Sequence, residues 1–361
     1  MKILFITDLY PLKNEEAKTP RTLHNFVFEW IKQGNEVDVI KPNFIFNSFV
    51  RKHPFYRDGF YDYQGVKIFN VNYFTPFLFD FTKKLSKEFD FSSYDLIIAH
   101  MPAGVIFANK LAKVIKKPLI CGVHVSDLEV LTEPIYKFYF KAQLQDAYAN
   151  SKKIACRSFV LQKKFAELMP ELAEKTFVAA SGIEAVWLEH PTCFSTKPST
   201  RKILTCANLK KRKNIDKLIL AVKDFADFEL TVIGDGRELK NLKKIKAKNV
   251  KFLGALPHEK VLEAMRNSDI FVLPSVRETF GMVYLEAMAS GCITVCSKND
   301  GVDGIIKDSE NGFLCEPTVE GIKETLLKIK HCENPDEIIK NSLETVKNYS
   351  PAKCAQNYLE A

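Results

Sequence analysis

No stretch of the 361-residue chain reaches the roughly 18–20 consecutive apolar residues needed to cross a bilayer. Asp80 interrupts the apolar run around Val71–Phe81, and His100 and Lys110 interrupt the one around Leu96–Ala112. The opening residues Lys2–Asp8 meet an aspartate too early for a signal peptide. Their reading is a first β-strand, and the expectation is a cytoplasmic protein. Cys-x-x-Cys pairs are also missing, and the nine cysteines are odd in number and scattered, which argues against a disulfide framework and a zinc site. There is no low-complexity tract, no repeat of solenoid period and no nucleic-acid-binding signature.

What is present fits a globular protein of two domains. Hydrophobic residues make up 46% of the chain and charged residues 27%, with a net charge of +8. A mildly basic surface suits anionic ligands or an anionic membrane face. Short β-type runs alternate with helical periodicity. Ile3–Ile6 is followed by apolar residues at Leu23, Phe26, Val27, Trp30 and Ile31, spaced for one face of a helix. Strands are expected near 37–40, 96–99, 118–123, 154–156 and 177–179, with helices near 105–115, 134–149 and 159–168. The pattern restarts at 203–207 and runs through helices near 215–225, 237–246, 260–266 and 283–290 to a strand at 313–315. Three helical patterns near 318–330, 335–348 and 352–360 close the chain.

Repeated strand–helix alternation implies a parallel sheet covered on both faces. The expected architecture is therefore two doubly wound, Rossmann-like α/β domains facing across a cleft. Residues 1–187 form the first, 188–200 a Pro/Ser/Thr-rich linker, and 201–335 the second. Residues 336–361 are expected to be helices that pack back towards the first domain. Residues 43–81 depart from the alternation and carry many phenylalanines with Arg51, Lys52 and Arg57. They read either as a β-rich excursion that buries its aromatics or as a surface for a membrane or lipid-linked substrate.

The chemistry concentrates in Pro274–Gly291. An apolar strand, Ile270–Leu273, leads through a Pro/Ser/Gly loop into a helix expected to start near Gly281 and to stop at Gly291. A helix N-terminus presents unpaired amides and the positive end of its dipole, which suits phosphate. Glu278 lies in the loop and Glu286 inside the helix, so a ligand seated at the helix end meets two carboxylates.

This segment resembles the signature of retaining glycosyltransferases of family 4, which have the two-domain GT-B fold. The match runs through Pro274, Ser275, Glu278, Phe280, Gly281, Leu285, Glu286, Ala287, Met288, Ala289 and Gly291. Thr205–Asp216 resembles the family's basic loop at a strand end. There Lys213 takes the lysine position, Asn208 stands where arginine is common, and Lys210, Lys211 and Arg212 are neighbouring candidates. Val232–Gly236 resembles the next strand and turn, and Asn299–Pro317 and Ser181–Glu184 resemble further family segments. Ala99–Asp127 resembles the strand–helix–strand unit ending in a histidine that family members use near the donor sugar, which places His124 in that role.

The resemblance implies a retaining, metal-independent transfer from a nucleotide-diphosphate sugar to a surface-glycan or lipid-linked acceptor, with no cofactor. Glu278 and His124 are the expected catalytic residues. Donor binding is expected from Asn208, Lys213, Phe280, Gly281, Met282, Val283 and Glu286. In this reading Glu286 takes the ribose and Glu278 the sugar hydroxyls. Peripheral contact with the cytoplasmic membrane face is expected, and nucleic acid is not. Two other readings share the fold: a nucleotide-sugar epimerase, and a catalytically silent partner subunit.

Overall fold

The computed structural model describes residues 1–11, 21–44, 59–73, 85–136, 140–189 and 201–361. Two compact units emerge. The first comprises residues 1–157, 161–181 and 351–361, and the second residues 158–160 and 182–350.

The first unit is built on an eight-stranded sheet in the order β3-β4-β2-β1-β5-β6-β7-β8. Its strands are β1 (Lys2–Thr7), β2 (Glu36–Phe44), β3 (Gly59–Tyr63), β4 (Val66–Tyr73), β5 (Leu96–His100), β6 (Leu119–Val123), β7 (Lys153–Cys156) and β8 (Thr176–Val178). All neighbours are parallel except the β3–β4 hairpin at the edge. Every residue of β5 and β6 is buried. Such strands read as continuous apolar runs because helices cover both faces of a parallel sheet. Among those helices are α1 (Thr22–Lys32), α2 (Pro102–Ile115), α3 (Val125–Thr132), α4 (Ala142–Asn150) and α5 (Phe159–Leu168).

Two local departures from the expected elements have identifiable causes. Helix α3 lies outside the expected helices and forms after His124, because the Asp127 carboxylate caps it by accepting from the His124 amide at 3.0 Å. The helix expected over 134–149 is a 3₁₀ turn at Pro134–Tyr136 and then α4, with residues 137–139 outside the described part.

The second unit carries a six-stranded, all-parallel sheet in the order β11-β10-β9-β12-β13-β14. Its strands are β9 (Arg201–Cys206), β10 (Phe228–Ile233), β11 (Val250–Gly254), β12 (Ile270–Leu273), β13 (Ile293–Ser297) and β14 (Phe313–Cys315). Its helices include α6 (Ile215–Val222), α7 (Leu239–Leu242), α8 (His258–Arg266), α9 (Met282–Ala289), α10 (Val319–Lys330) and α11 (Pro335–Val346). The chain runs outward from β9 to β11, then returns to the other side of β9 for β12 to β14. Ligands of such sheets bind outside the carboxyl ends of the two strands where the order reverses, here β9 and β12. Helix α7 is shorter than the expected span of 237–246. The chain after it turns towards β11 and is pinned by Asn249, whose amide donates to the carbonyls of Val222, Phe225 and Phe228 at 2.9–3.0 Å.

The expected boundary near residue 187 lies earlier. Residues 182–189 pack within the second unit, where the Ile183 amide donates to the Tyr349 carbonyl at 2.8 Å and Trp187 is buried edge-on to His258. Of the terminal helices, α11 belongs to the second unit, and only α12 (Pro351–Glu360) joins the first. There Trp30 on α1 donates its indole N–H to the Ala355 carbonyl at 2.8 Å. The expected linker beyond residue 189 and most of the aromatic-rich 43–81 region lie outside the described residues. The described part of that region is β3, β4 and the end of β2; Phe69 is buried, and Phe60 is partly exposed with Lys67 over its ring.

Candidate active site

The loops after β9 and β12 are bound to each other. Asn214 adopts a left-handed backbone conformation at the start of α6 and donates its amide to the Pro274 carbonyl at 2.9 Å. The Val276 amide donates to the Arg212 carbonyl at 2.8 Å. This stitching brings the basic residues of the first loop over the carboxylate of the second. Lys213 forms an ion pair with Glu278 Oε2, and Arg212 reaches the same oxygen at 3.4 Å. Arg212 also donates to the Arg277 carbonyl at 2.9 Å. The Lys213 and Glu278 side chains are only 11% and 13% exposed, so water screens this pair little.

A second layer holds the Glu278 loop. Asp300, in the turn after β13, accepts the Arg277 amide at 2.5 Å and the Glu278 amide at 2.6 Å, one on each oxygen. Charge-assisted bonds of this kind are the strong ones, and they hold Arg277 at a φ of 59°. Ser275 donates to Glu278 Oε2 at 3.3 Å and lies 2.9 Å from the Tyr284 hydroxyl, which donates to the Leu273 carbonyl at 2.8 Å. Sequence reasoning missed Asp300 and Tyr284. Their signal, a turn aspartate at Asn299–Gly301 and a tyrosine in the first turn of a mostly apolar helix, is too common to single out without contacts.

Helix α9 starts where expected, with Gly281 as its N-cap at a φ of 93°. A side chain there would place its Cβ 2.5 Å from the Tyr284 ring, so both backbone and space demand glycine. The amides of Met282 and Val283 are in the first turn, where helices leave N–H groups without intrahelical partners. Phe280 is 4% exposed, so its side chain belongs to the core and only its backbone is offered to a ligand. A close approach also shapes the neighbouring β10 turn. Gly234 has a φ of 130°, and a Cβ on it would lie 1.9 Å from the Ala207 carbonyl oxygen at the start of the basic loop.

Glu286 is brought to this end of the unit but is not paired: no described group donates to its carboxylate. Burial, with Glu184 adding a second negative charge, pushes it up to about 7. It also contributes to the upward shift of the Cys206 thiol at the end of β9, where burial is the larger cause. Asn208 is exposed on the same loop as Lys213 and makes no side-chain hydrogen bond with a described residue.

His124 belongs to the first unit, at the carboxyl end of β6. It is 7% exposed, and its Nε2 lies 2.9 Å from Nδ1 of His100. His100 Nε2 in turn lies 2.9 Å from the Tyr358 hydroxyl on α12. Burial, together with the buried Arg157 guanidinium, pushes His124 down to about 3, so it is neutral at physiological pH. Asp127, which accepts from Tyr148 at 2.9 Å, is pushed up to about 7 by burial. Of the expected site residues, the structure thus gathers Lys213, Glu278, Gly281, Met282 and Val283 around the ends of β9 and β12. His124 sits in a separate, internally bonded network. Among the described residues no group of three or more His, Cys, Asp or Glu side chains is arranged to hold a metal ion.

Comparison with known proteins bears on this site directly. Residues 194–345 match the family model for Glycosyl transferases group 1. The chain is a glycosyltransferase. It is 29% identical over 311 residues to an uncharacterized glycosyltransferase of Methanocaldococcus jannaschii, covering 81% of this chain and 83% of that relative. Among solved structures, Anabaena HepE in complex with UDP superposes with a TM-score of 0.71 at 17% identity, covering 100% of this chain and 99% of that one. Sucrose-phosphate synthase from Thermosynechococcus elongatus superposes with a TM-score of 0.74 at 16% identity, covering 99% and 97%. At these identities the solved structures establish the fold, which is GT-B: two parallel-sheet α/β units of the glycosyltransferase type. The matched 194–345 segment contains every residue of the Lys213–Glu278 constellation.

Proposed function

We propose that this glycosyltransferase moves a sugar, with retention of anomeric configuration and without a metal ion, from a nucleotide-diphosphate sugar to a lipid-linked or surface-glycan acceptor. The observation that carries the reading is the convergence of Lys213 and Arg212 on Glu278 at the sheet's switch point, beside the start of α9. Lys213 and the Glu278 carboxylate neutralise each other. An incoming diphosphate competes for Lys213 and Arg212, and Glu278 is released to accept hydrogen bonds from sugar hydroxyls. The first-turn amides of α9 supply further donors, and Asn208 adds an uncharged one. Glu286 takes the ribose hydroxyls and exchanges their hydration for its own missing partners.

In the chemical step the bond from the anomeric carbon to the diphosphate oxygen breaks, and the acceptor oxygen bonds to that carbon from the same face. The acceptor's proton passes to an oxygen of the departing phosphate. Cationic and amide donors stabilise the charge that develops there, each preorganised donor being worth on the order of 10²–10³ in rate. His124, neutral at working pH, would contact the sugar as a hydrogen-bonding group and not as an acid. Support for a uridine-type donor comes from Anabaena HepE, solved with UDP. Action at the cytoplasmic membrane face follows from a lipid-linked acceptor.

The test combines binding and stereochemistry. Thermal shift with a panel of nucleoside diphosphates should give stabilisation of wild type, because a ligand of the folded state alone raises apparent stability. Lys213→Ala and Glu286→Ala should each abolish it. Product formed in the presence of EDTA from a donor of known anomeric configuration should keep that configuration by NMR. Absence of any nucleotide response, or an inverted product, would overturn the reading.

A further inference from the structure

Most of the chain's net charge is in one short segment. Residues 237–251 hold seven basic residues and one acid, a local charge of +6 against +8 for all 361 residues. Lys240, Lys243, Lys244, Lys246, Lys248 and Lys251 are all exposed, and none makes an ion pair or side-chain hydrogen bond with a described residue. Elsewhere the surface lysines are often neutralised, as in Lys298–Glu316, Lys323–Asp224 and Lys330–Asp227.

The segment is also a built surface and not a loose tail. Leu242 is buried beneath it, and successive backbone bonds at 242→238, 243→239, 244→241 and 245→242 fold it tightly. Asn249 anchors its far end, and it continues into β11 at the sheet's edge. Lys210 and Lys211 of the donor-side loop share a cavity of about 210 Å³ with Glu238, Asn241 and Ile245, so the basic face adjoins that loop.

We propose that residues 237–251 form the face by which the second unit binds an anionic phospholipid surface. The sequence favours lipid over nucleic acid. The segment has no aromatic residue to stack on bases and only Arg237 for planar, bidentate contacts, whereas six lysines act as point charges suited to a diffuse layer of headgroups. Leu242 is buried and Leu239, Ile245 and Val250 are half-buried, whereas the six lysines are exposed, so attachment is electrostatic and salt-sensitive. The inference rests on the lipid-linked acceptor proposed above, for which it supplies the means of docking, but it concerns residues outside the donor site.

Sedimentation of the full chain with phosphatidylcholine vesicles, with and without phosphatidylglycerol, tests it. Wild type should bind only the anionic vesicles and release in high salt. A combined Lys240→Gln/Lys243→Gln/Lys244→Gln/Lys246→Gln variant should bind at least about a hundredfold more weakly, since each lysine near such a surface is worth about fivefold. A control carrying Lys298→Gln, Lys307→Gln, Lys323→Gln and Lys347→Gln loses the same formal charge from paired lysines and should keep its binding. Equal binding to neutral vesicles, retention by the first variant, equal loss in the control, or preferential capture of RNA or an acidic peptide would each overturn the proposal. Nucleotide-induced thermal shift of the same variants separates the two readings. It should be unchanged, and its absence in wild type would sink the donor reading while leaving the vesicle result to stand or fall by itself.

Discussion

Glu286 is a half-buried acid to which no described group donates, and its behaviour follows from that. Its carboxyl is pushed from the ordinary range up to about 7, so between roughly pH 4.5 and 7 the folded state holds a proton that the unfolded state has lost. The stability it contributes is therefore complete at low pH and falls as pH rises through 7. Glu286→Gln should accordingly be more stable than wild type at pH 8, by about 1–3 kcal/mol, and no more stable than wild type at pH 4.5. A difference that is the same at both pH values would show that burial does not set this titration. Lys213 is the complementary case. Removing it leaves the half-buried Glu278 carboxylate with only the longer Arg212 contact and the Ser275 hydroxyl, and takes one cation from the proposed phosphate site. Lys213→Ala should lower kcat/KM for the donor by about 10²–10³, with partial recovery in Lys213→Arg. The two glutamates were legible as a pair from their strand–loop–helix context. That one is ion-paired and the other bare was not, because the partners lie 65 or more residues away.

The loop–helix junction at Gly281 is the element on which the site depends. Its φ of 93° and the Tyr284 ring leave no room for a side chain. Gly281→Ala should cost about 1–3 kcal/mol, read by denaturant melts, and should weaken nucleotide binding more than stability alone explains, because the α9 amides move with the junction. Glycine and helix start could be read from the pattern Phe280-Gly281 before an apolar helix. The reason for glycine could not, since the obstructing ring is on the helix's own first turn. Helices α3 and α7 show where local reading fails. One is created by a capping aspartate in a run of weak periodicity. The other stops early because Asn249 and the need to enter β11 outweigh good helix-forming lysines.

At the scale of the molecule, the C-terminal helix α12 completes the first unit from the far end of the sequence. Its Tyr358 is buried against Phe26 and Trp30 and ends the His124–His100 chain. Truncation after Ser350 should strip this cover and lower the melting temperature sharply, accompanied by dye binding to newly exposed apolar surface. Tyr358→Phe keeps the packing and loses only the hydroxyl, so it should cost no more than about 1–2 kcal/mol. A truncated chain that melts like wild type would refute this account of α12.

Strand–helix alternation, two doubly wound sheets and the Pro274–Gly291 signature were all present in the sequence, because period, propensity and cap chemistry are local. Three matters were decided only by the tertiary structure. The crossing at the β9–β12 switch point joins Lys213 to Glu278, since two loops distant in sequence leave the carboxyl ends of adjacent central strands. Asp300 holds that loop through its amides, a contact with no local trace. Residues 351–360 belong to the first unit, because burial of Trp30, Phe26 and Tyr358 is a long-range apolar choice that no window of sequence contains.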